Sequence, residues 1–198
     1  MAHRGASSEA HENTLAAFQR AIEVGADMIE FDVRRSVNGG LLVSHDPVRE
    51  PGPQVLTLEE TLRLTQGRIQ LDVELKEPGC ERDAIDLLVR YFLLEHFCIT
   101  SFLAPVLRET RAINPHIRTG LIFATWNASV RAGCLSPDAD LLVPHYRLLE
   151  QAEQIGKPLF VWTVDDPALT RALFERPAVE GIVTNNPRQA LAIRKELL

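Results

Sequence analysis

The chain has 198 residues, 45% hydrophobic and 24% charged, the composition of one ordinary soluble globular domain spanning 1–198. Its formal net charge of -6 argues against nucleic acid or an anionic membrane as a general partner, because no basic stripe is present to release counterions. A small anionic substrate held in one local basic pocket remains compatible with that balance.

Along the chain, strand and helix patterns alternate. A helix from about Asn13 to Val24 places Leu15, Phe18, Ala21 and Ile22 on one face and stops at Gly25. Ala26 to Val33 is the next strand. Asn38-Gly39-Gly40 is a turn from which Leu41-Leu42-Val43-Ser44 extends, and Pro47, Pro51, Gly52 and Pro53 make an irregular loop. Thr57 with Glu60 forms a capping box for a helix ending near Gly67. Strand Ile69–Leu75 and a helix from Glu81 to about Leu94 follow. Then come strand Phe97–Thr100, helix Ala104–Ile113, strand Ile117–Phe123 and a helix over about Ala128–Ala132. Strand Ala139–Val143, helix Arg147–Gln154, strand Leu159–Thr163 and helix Pro167–Phe174 come next, the last capped by the Asp165-Asp166 pair. Strand Val179–Thr184 and helix Pro187–Leu198, with proline in its first turn, end the series.

Counting a short start at His3, this makes eight strand-plus-helix units with short apolar strands, the pattern of a parallel sheet covered by helices. It predicts an α/β fold, a small (β/α)₈ TIM barrel, with an open doubly wound sheet as the competing architecture. The barrel is favoured because the chemically loaded residues fall at the ends of several different strands, and no G-x-G-x-x-G follows the first one.

Two of those strands carry acids inside apolar runs: Ile29-Glu30-Phe31-Asp32-Val33 and Leu71-Asp72-Val73-Glu74-Leu75-Lys76. Side chains alternate faces along a strand, so Glu30 shares a face with Asp32, and Glu74 with Lys76. Burying several carboxylates costs several kcal/mol per ion, on the order of known ion-burial penalties, unless something compensates. A divalent cation with hard oxygen ligands is the simplest compensation. Histidines accompany the acids in Ala2-His3-Arg4-Gly5 and in Ser44-His45-Asp46-Pro47. Acids, a lysine, an arginine and two histidines on strand ends point to a metal-assisted phosphate-ester site.

The cysteines, Cys80, Cys98 and Cys134, are odd in number and widely spaced, so neither a zinc site nor a disulfide framework is indicated. Free thiols in a reducing compartment are the expectation. No charged-then-apolar leader and no bilayer-spanning run is visible, which predicts a cytoplasmic protein without stable membrane insertion. Nothing in the sequence sets an oligomeric state.

The ordered set Ala2-His3-Arg4-Gly5, Glu12-Asn13-Thr14, Gly25-Ala26-Asp27, Glu30 with Asp32, His45-Asp46, Glu74-Leu75-Lys76, Ser101-Phe102, Val161-Trp162-Thr163-Val164 and Gly181-Ile182-Val183-Thr184-Asn185 with Pro187 resembles the glycerophosphodiester phosphodiesterase family over nearly the whole chain. The resemblance implies the same barrel. It also implies metal ligation by Glu30, Asp32 and Glu74, acid/base catalysis by His3 and His45, and phosphate binding by Arg4 and Lys76. Glu12 and Asn13 would sit beside the pocket and Trp162 would line it. The reaction implied is metal-dependent hydrolysis of a small-molecule glycerophosphodiester to an alcohol and glycerol 3-phosphate. In that family a neighbouring glycerol hydroxyl is thought to attack first, giving a cyclic phosphate that water opens.

The residues support this chemistry without the name. Arg4 suits bidentate phosphate contact and Lys76 supplies a point charge. Carboxylate ligands without cysteine favour Mg²⁺ or Ca²⁺ over Zn²⁺. Two departures from the family are visible. The insertion between the second and third barrel strands is shortened to about Pro47–Val55, and the first strand is clipped. They keep two alternatives open: a non-catalytic binding protein for a phosphorylated small molecule, and a lysophospholipid-cleaving relative whose open pocket admits an acyl chain.

Overall fold

The computed structural model describes residues 1–48, 52 and 54–198. Eight parallel strands form the predicted barrel: β1 (Ala2–His3), β2 (Met28–Arg35), β4 (Gln70–Leu75), β5 (Phe97–Ser101), β6 (Arg118–Phe123), β7 (Leu141–Pro144), β8 (Leu159–Val161) and β9 (Val179–Ile182). A parallel bridge between Ala2 and Thr184 joins the two ends of the sheet. β3 (Leu41–Val43) stands outside this ring, paired antiparallel to the end of β2. The helices are α1 (Leu15–Glu23), α2 (Leu58–Thr65), α3 (Glu81–Tyr91), α4 (Ala104–Ile113), α5 (Ala128–Leu135), α6 (Leu149–Glu153), α7 (Pro167–Phe174) and α8 (Pro187–Leu197). None is long and apolar enough to cross a membrane.

Strand alternation sorts the side chains into two environments. Ile29, Phe31, Val33, Leu71, Val73 and Leu75 pack outward against buried helix residues such as Phe18, Leu58, Leu62 and Leu88. The opposite parity faces the barrel axis, and there the interior is split. Cys98, Ile122, Leu141, Val143, Phe160 and Val183 make one apolar cluster. The inward positions of β2 and β4 are instead Glu30, Asp32, Asp72 and Glu74, all buried. Burial of the outward residues supplies the apolar area that can offset those acids.

Local signals held where capping chemistry set them. Thr57 Oγ1 accepts the Glu60 N–H at 3.2 Å while Glu60 Oε2 accepts the Thr57 N–H at 2.8 Å, the expected capping box. Asp166 alone caps α7, accepting the Leu169 N–H at 2.7 Å. Other boundaries differ. The predicted helix from Glu81 stops at Tyr91 and is followed by a 3₁₀ turn over Leu94–His96. The first helix begins after its cap Thr14, because Asn13 has a left-handed backbone (φ 55°) that cannot enter a helix. Of the shortened Pro47–Val55 insertion and its predicted irregular loop, residues 49–51 and 53 lie outside the described residues.

Gly5, directly after Arg4, has φ 86°, and a Cβ there would lie 2.7 Å from the carbonyl carbon and Cβ of Ala17 on α1. Gly5→Ala is therefore expected to cost about 2–4 kcal/mol through backbone strain and overpacking. Denaturant unfolding reads this directly, and an unchanged midpoint would contradict the close approach of this turn to α1.

Candidate active site

The site starts from the pairing of β2 with β4, which sets Glu30 opposite Asp72 and Asp32 opposite Glu74. Because all four point inward, the register gathers carboxylates that lie 42 residues apart in sequence. One oxygen from each of Glu30, Asp32 and Glu74 lies within 4.8 Å of the others. Burial pushes the Glu30 carboxyl well above the usual range, and the neighbouring charges of Asp32 and Glu74 add to the effect. Glu74 is pushed up to about 7 by burial, against the pull of Lys76. Asp72, deeper in the barrel, is pushed up to about 6 by burial while hydrogen bonds from Thr100 and Cys98 oppose the shift.

Asp32 is the exception. Burial works to raise its carboxyl, but Lys76, Arg4 and the Asn13 amide together hold it below the usual value. Arg4 Nε stands 3.1 Å from Asp32 Oδ2, and Asn13 Nδ2 donates to the same oxygen at 2.9 Å. Lys76 Nζ is 2.7 Å from Glu74 Oε1 and 3.2 Å from Asp32 Oδ1. The second contact is a charge contact without hydrogen-bond alignment, so Asp32 Oδ1 is enclosed with no hydrogen-bond partner. Three clustered hard oxygen donors, with no cysteine or histidine among them, fit a divalent cation.

Arg4 and Asn13 are the two non-glycine residues with positive φ among the described residues, 54° and 55°. They hold each other: the Asn13 N–H donates to the Arg4 carbonyl at 3.0 Å. The Arg4 N–H donates to the Glu30 carbonyl at 2.8 Å and lies 3.1 Å from Glu30 Oε2, and its guanidinium reaches Glu12 Oε1 at 2.8 Å. The left-handed turn thus folds Arg4 back over the acids.

Both histidines open onto the same cavity of about 120 Å³, with Arg4, Glu30, Asp72, Glu74 and Lys76 on one side. Its other side is Phe102, Ile122, Val143, Trp162 and Val183, continuous with the apolar half of the barrel interior. His3 ends β1, with Nε2 4.0 Å from Glu30 Oε2; burial lowers its pKa while a hydrogen bond with Asn185 works the other way. His45 follows β3, so the antiparallel hairpin outside the barrel delivers it. Arg34 Nε donates to the His45 carbonyl at 2.7 Å and fixes that loop. His45 Nδ1 is 2.9 Å from Asp46 Oδ1. Trp162 donates its indole N–H to the Val143 carbonyl at 2.8 Å and meets Phe102 edge-on at 5.6 Å between centroids.

The structure therefore brings His3, Arg4, Glu30, Asp32, His45, Glu74, Lys76 and Trp162 to one end of the barrel, where the strands finish. Glu12 and Asn13 reach the cluster through Arg4 and Asp32. His11, His96 and His116 stay off it. His145 stacks edge-on against Trp162 at 5.4 Å rather than entering the cavity. The sequence offers Asp165 as part of a helix cap and Asn185 as part of a strand-end motif, but not their link: the two bond to each other 20 residues apart behind His3. Neither periodicity nor a capping pattern links two loop residues from different units.

With the geometry in place, known proteins can be set beside it. The sequence profile described as the glycerophosphoryl diester phosphodiesterase family matches residues 3–79, the segment carrying His3, Glu30, Asp32, His45 and Glu74. A glycerophosphodiester phosphodiesterase of Caldanaerobacter subterraneus subsp. tengcongensis is 31% identical over 230 residues, covering 94% of this chain and 93% of that protein. The solved glycerophosphodiester phosphodiesterase of Thermotoga maritima is 25% identical, with a TM-score of 0.78 over 98% of this chain and 96% of its own. An Oleispira antarctica phosphodiesterase, solved with its product sn-glycerol-3-phosphate, shares the fold at a TM-score of 0.85 and 20% identity over 98% of this chain and 95% of its own. Identity at this level over nearly the full length of both chains, with the acids and histidines gathered as described, means that the chain belongs to the glycerophosphodiester phosphodiesterase family.

Proposed function

We propose that this chain is a metal-dependent phosphodiesterase that hydrolyses glycerophosphodiesters to an alcohol and glycerol 3-phosphate. The observation that carries the reading is the triad of Glu30, Asp32 and Glu74 within 4.8 Å, of which Glu30 and Glu74 line a cavity that two histidines share. Glu30, Asp32 and Glu74 would hold the ion, and their all-carboxylate chemistry favours Mg²⁺ or Ca²⁺. When bound, such an ion draws negative charge from a non-bridging phosphate oxygen. Arg4 and Lys76, already drawn over the acids, supply the remaining positive charge for the phosphate. His3 and His45 exchange protons with the attacking hydroxyl and the leaving oxygen. Trp162 and the apolar wall take the organic part of the substrate.

Hydrolysis of glycerophosphocholine and a panel of glycerophosphodiesters, after chelation and again with Mg²⁺ or Ca²⁺ returned, tests the reading. Metal-restored release of glycerol 3-phosphate is the expected result. No turnover with a bound dication would favour the binding protein instead. Exposed Phe102 and Leu103, next to the apolar wall, support a second reading in which a lysophospholipid acyl chain lies across that rim. Faster turnover of lysophosphatidylcholine than of glycerophosphocholine would select it.

The acids also predict a pH dependence of stability. Glu74 has its carboxyl raised from 4.5 to about 7. A raised value in the folded state contributes stability below about pH 4.5 that is lost as pH rises through 7. The metal-free protein is therefore expected to lose on the order of 1–3 kcal/mol between these limits from this group. Added Mg²⁺ or Ca²⁺ should raise Tm more at pH 8 than at pH 5.5, and equal shifts at both would remove Glu74 from the ligand set.

A further inference from the structure

We propose that Asn185 and Asp165 are positioning residues that lock the imidazole of His3, so that Nε2 alone exchanges protons with the substrate. The inference deepens the phosphodiesterase reading and rests on it for its catalytic part. His3 Nδ1 lies 2.7 Å from Asn185 Oδ1. Which end of an amide faces a neighbour is decided by its partners, and here they leave one choice. Asp165 Oδ2 is 2.6 Å from Asn185 Nδ2, and an ionised carboxylate only accepts. The amide NH₂ must therefore face Asp165, which turns the carbonyl oxygen to His3. Ser7 Oγ donates to that same oxygen at 2.9 Å.

Asp165 is itself held. Its Oδ1 accepts the Asn185 N–H at 2.8 Å and the Thr184 hydroxyl at 2.9 Å. Because Asn185 Oδ1 cannot donate, His3 Nδ1 carries its proton whether the ring is neutral or charged. The remaining nitrogen, Nε2, is the one that faces the Glu30 carboxylate across the cavity, at 4.0 Å. Holding the chain does not require this network, since the His3 N–H already donates to the Thr184 carbonyl at 2.9 Å. What the side chains add is the orientation and tautomer of the ring, a detail to which histidine catalysis is sensitive.

Three variants separate this role from a structural one. Asn185→Leu removes the acceptor and is expected to lower kcat on the order of 10²-fold, with KM and divalent-ion affinity within about 3-fold of wild type. Asn185→Asp sets two carboxylates against each other and is expected to lose about 10-fold or more. Combining Asn185→Asp with Asp165→Asn reverses the polarity of the pair: the outer amide donates, the inner carboxylate accepts from Nδ1, and kcat is expected to return to within about 3-fold of wild type. ¹⁵N spectra of His3 at pH 8 read the tautomer without turnover, with a single Nδ1–H form expected in the wild type and a mixture in Asn185→Leu. Folded Asn185→Leu with wild-type kcat, an exchanged pair no better than Asn185→Asp, or an Nε2–H wild type would each overturn the proposal. A wild type that turns over none of the diesters would overturn the phosphodiesterase reading alone, and the spectra would then decide whether the ring is locked.

Discussion

Glu30→Ala, Asp32→Ala and Glu74→Ala are each expected to abolish metal-dependent turnover and to weaken divalent-ion binding. The three differ in what else they disturb. Glu30 and Glu74 carry raised carboxyls, so the metal-free protein loses little when they go. Asp32 is the anion on which Arg4, Lys76 and Asn13 converge. Its removal takes from Arg4 and Lys76 the one anion they share, leaving them Glu12 at 2.8 Å and Glu74 at 2.7 Å, a partial loss of buried charge pairing that costs about 1–3 kcal/mol. Asp32→Ala should therefore lower Tm in chelator more than Glu30→Ala or Glu74→Ala does. Calorimetric titration with Mg²⁺ and Ca²⁺ alongside the diester assay checks both parts. Full activity in any one variant would strike that residue from the ligand set.

His3→Ala and His45→Ala carry the second large effect, about 10²–10⁴-fold each in rate, with metal affinity largely kept. Neither ring belongs to the carboxylate triad, and His3 Nε2 is 4.0 Å from the nearest Glu30 oxygen. The two reach the cavity by unrelated routes. His3 sits on the barrel seam, while His45 hangs on a hairpin braced by Arg34. Their losses should therefore arise in chemistry rather than in a shared collapse of the site, and single-turnover rates at saturating substrate would show it. Loss of the bound ion in both variants would mean that the rings ligate it instead.

The barrel was legible in the alternation of short apolar strands with helices, and the acid cluster in a period-2 pattern within two of those strands. Glu30, Asp32 and Glu74 interrupt apolar strands at alternate positions, so their common inward face follows from the pleat alone. The capping box at Thr57 is similarly local. Less legible was anything fixed by side chains meeting across units. Asn13 looks like the start of a helix, yet its amide is drawn to Asp32 and its backbone turns left-handed. Of the Asp165-Asp166 pair only the second residue caps α7; the first turns to Asn185. Lys76 pairs with Glu74, its neighbour on the same strand face, as the sequence allows, but its second partner, Asp32, comes from the adjoining strand and is not written in that pattern.

The left-handed backbones of Arg4 and Asn13 have a consequence for how this protein would drift. Each conformation costs a non-glycine residue roughly 1–2 kcal/mol, and glycine would relieve it. Both side chains, however, converge on Asp32. Under selection for heat resistance with no demand for turnover, relief of that strain is open only where Asp32 is replaced as well, because a buried carboxylate stripped of its partners costs more than the strain returned. A lineage that had shed its chemistry would thus be recognised by glycine at positions 4 and 13 together with a neutral residue at 32, while the barrel core stayed intact.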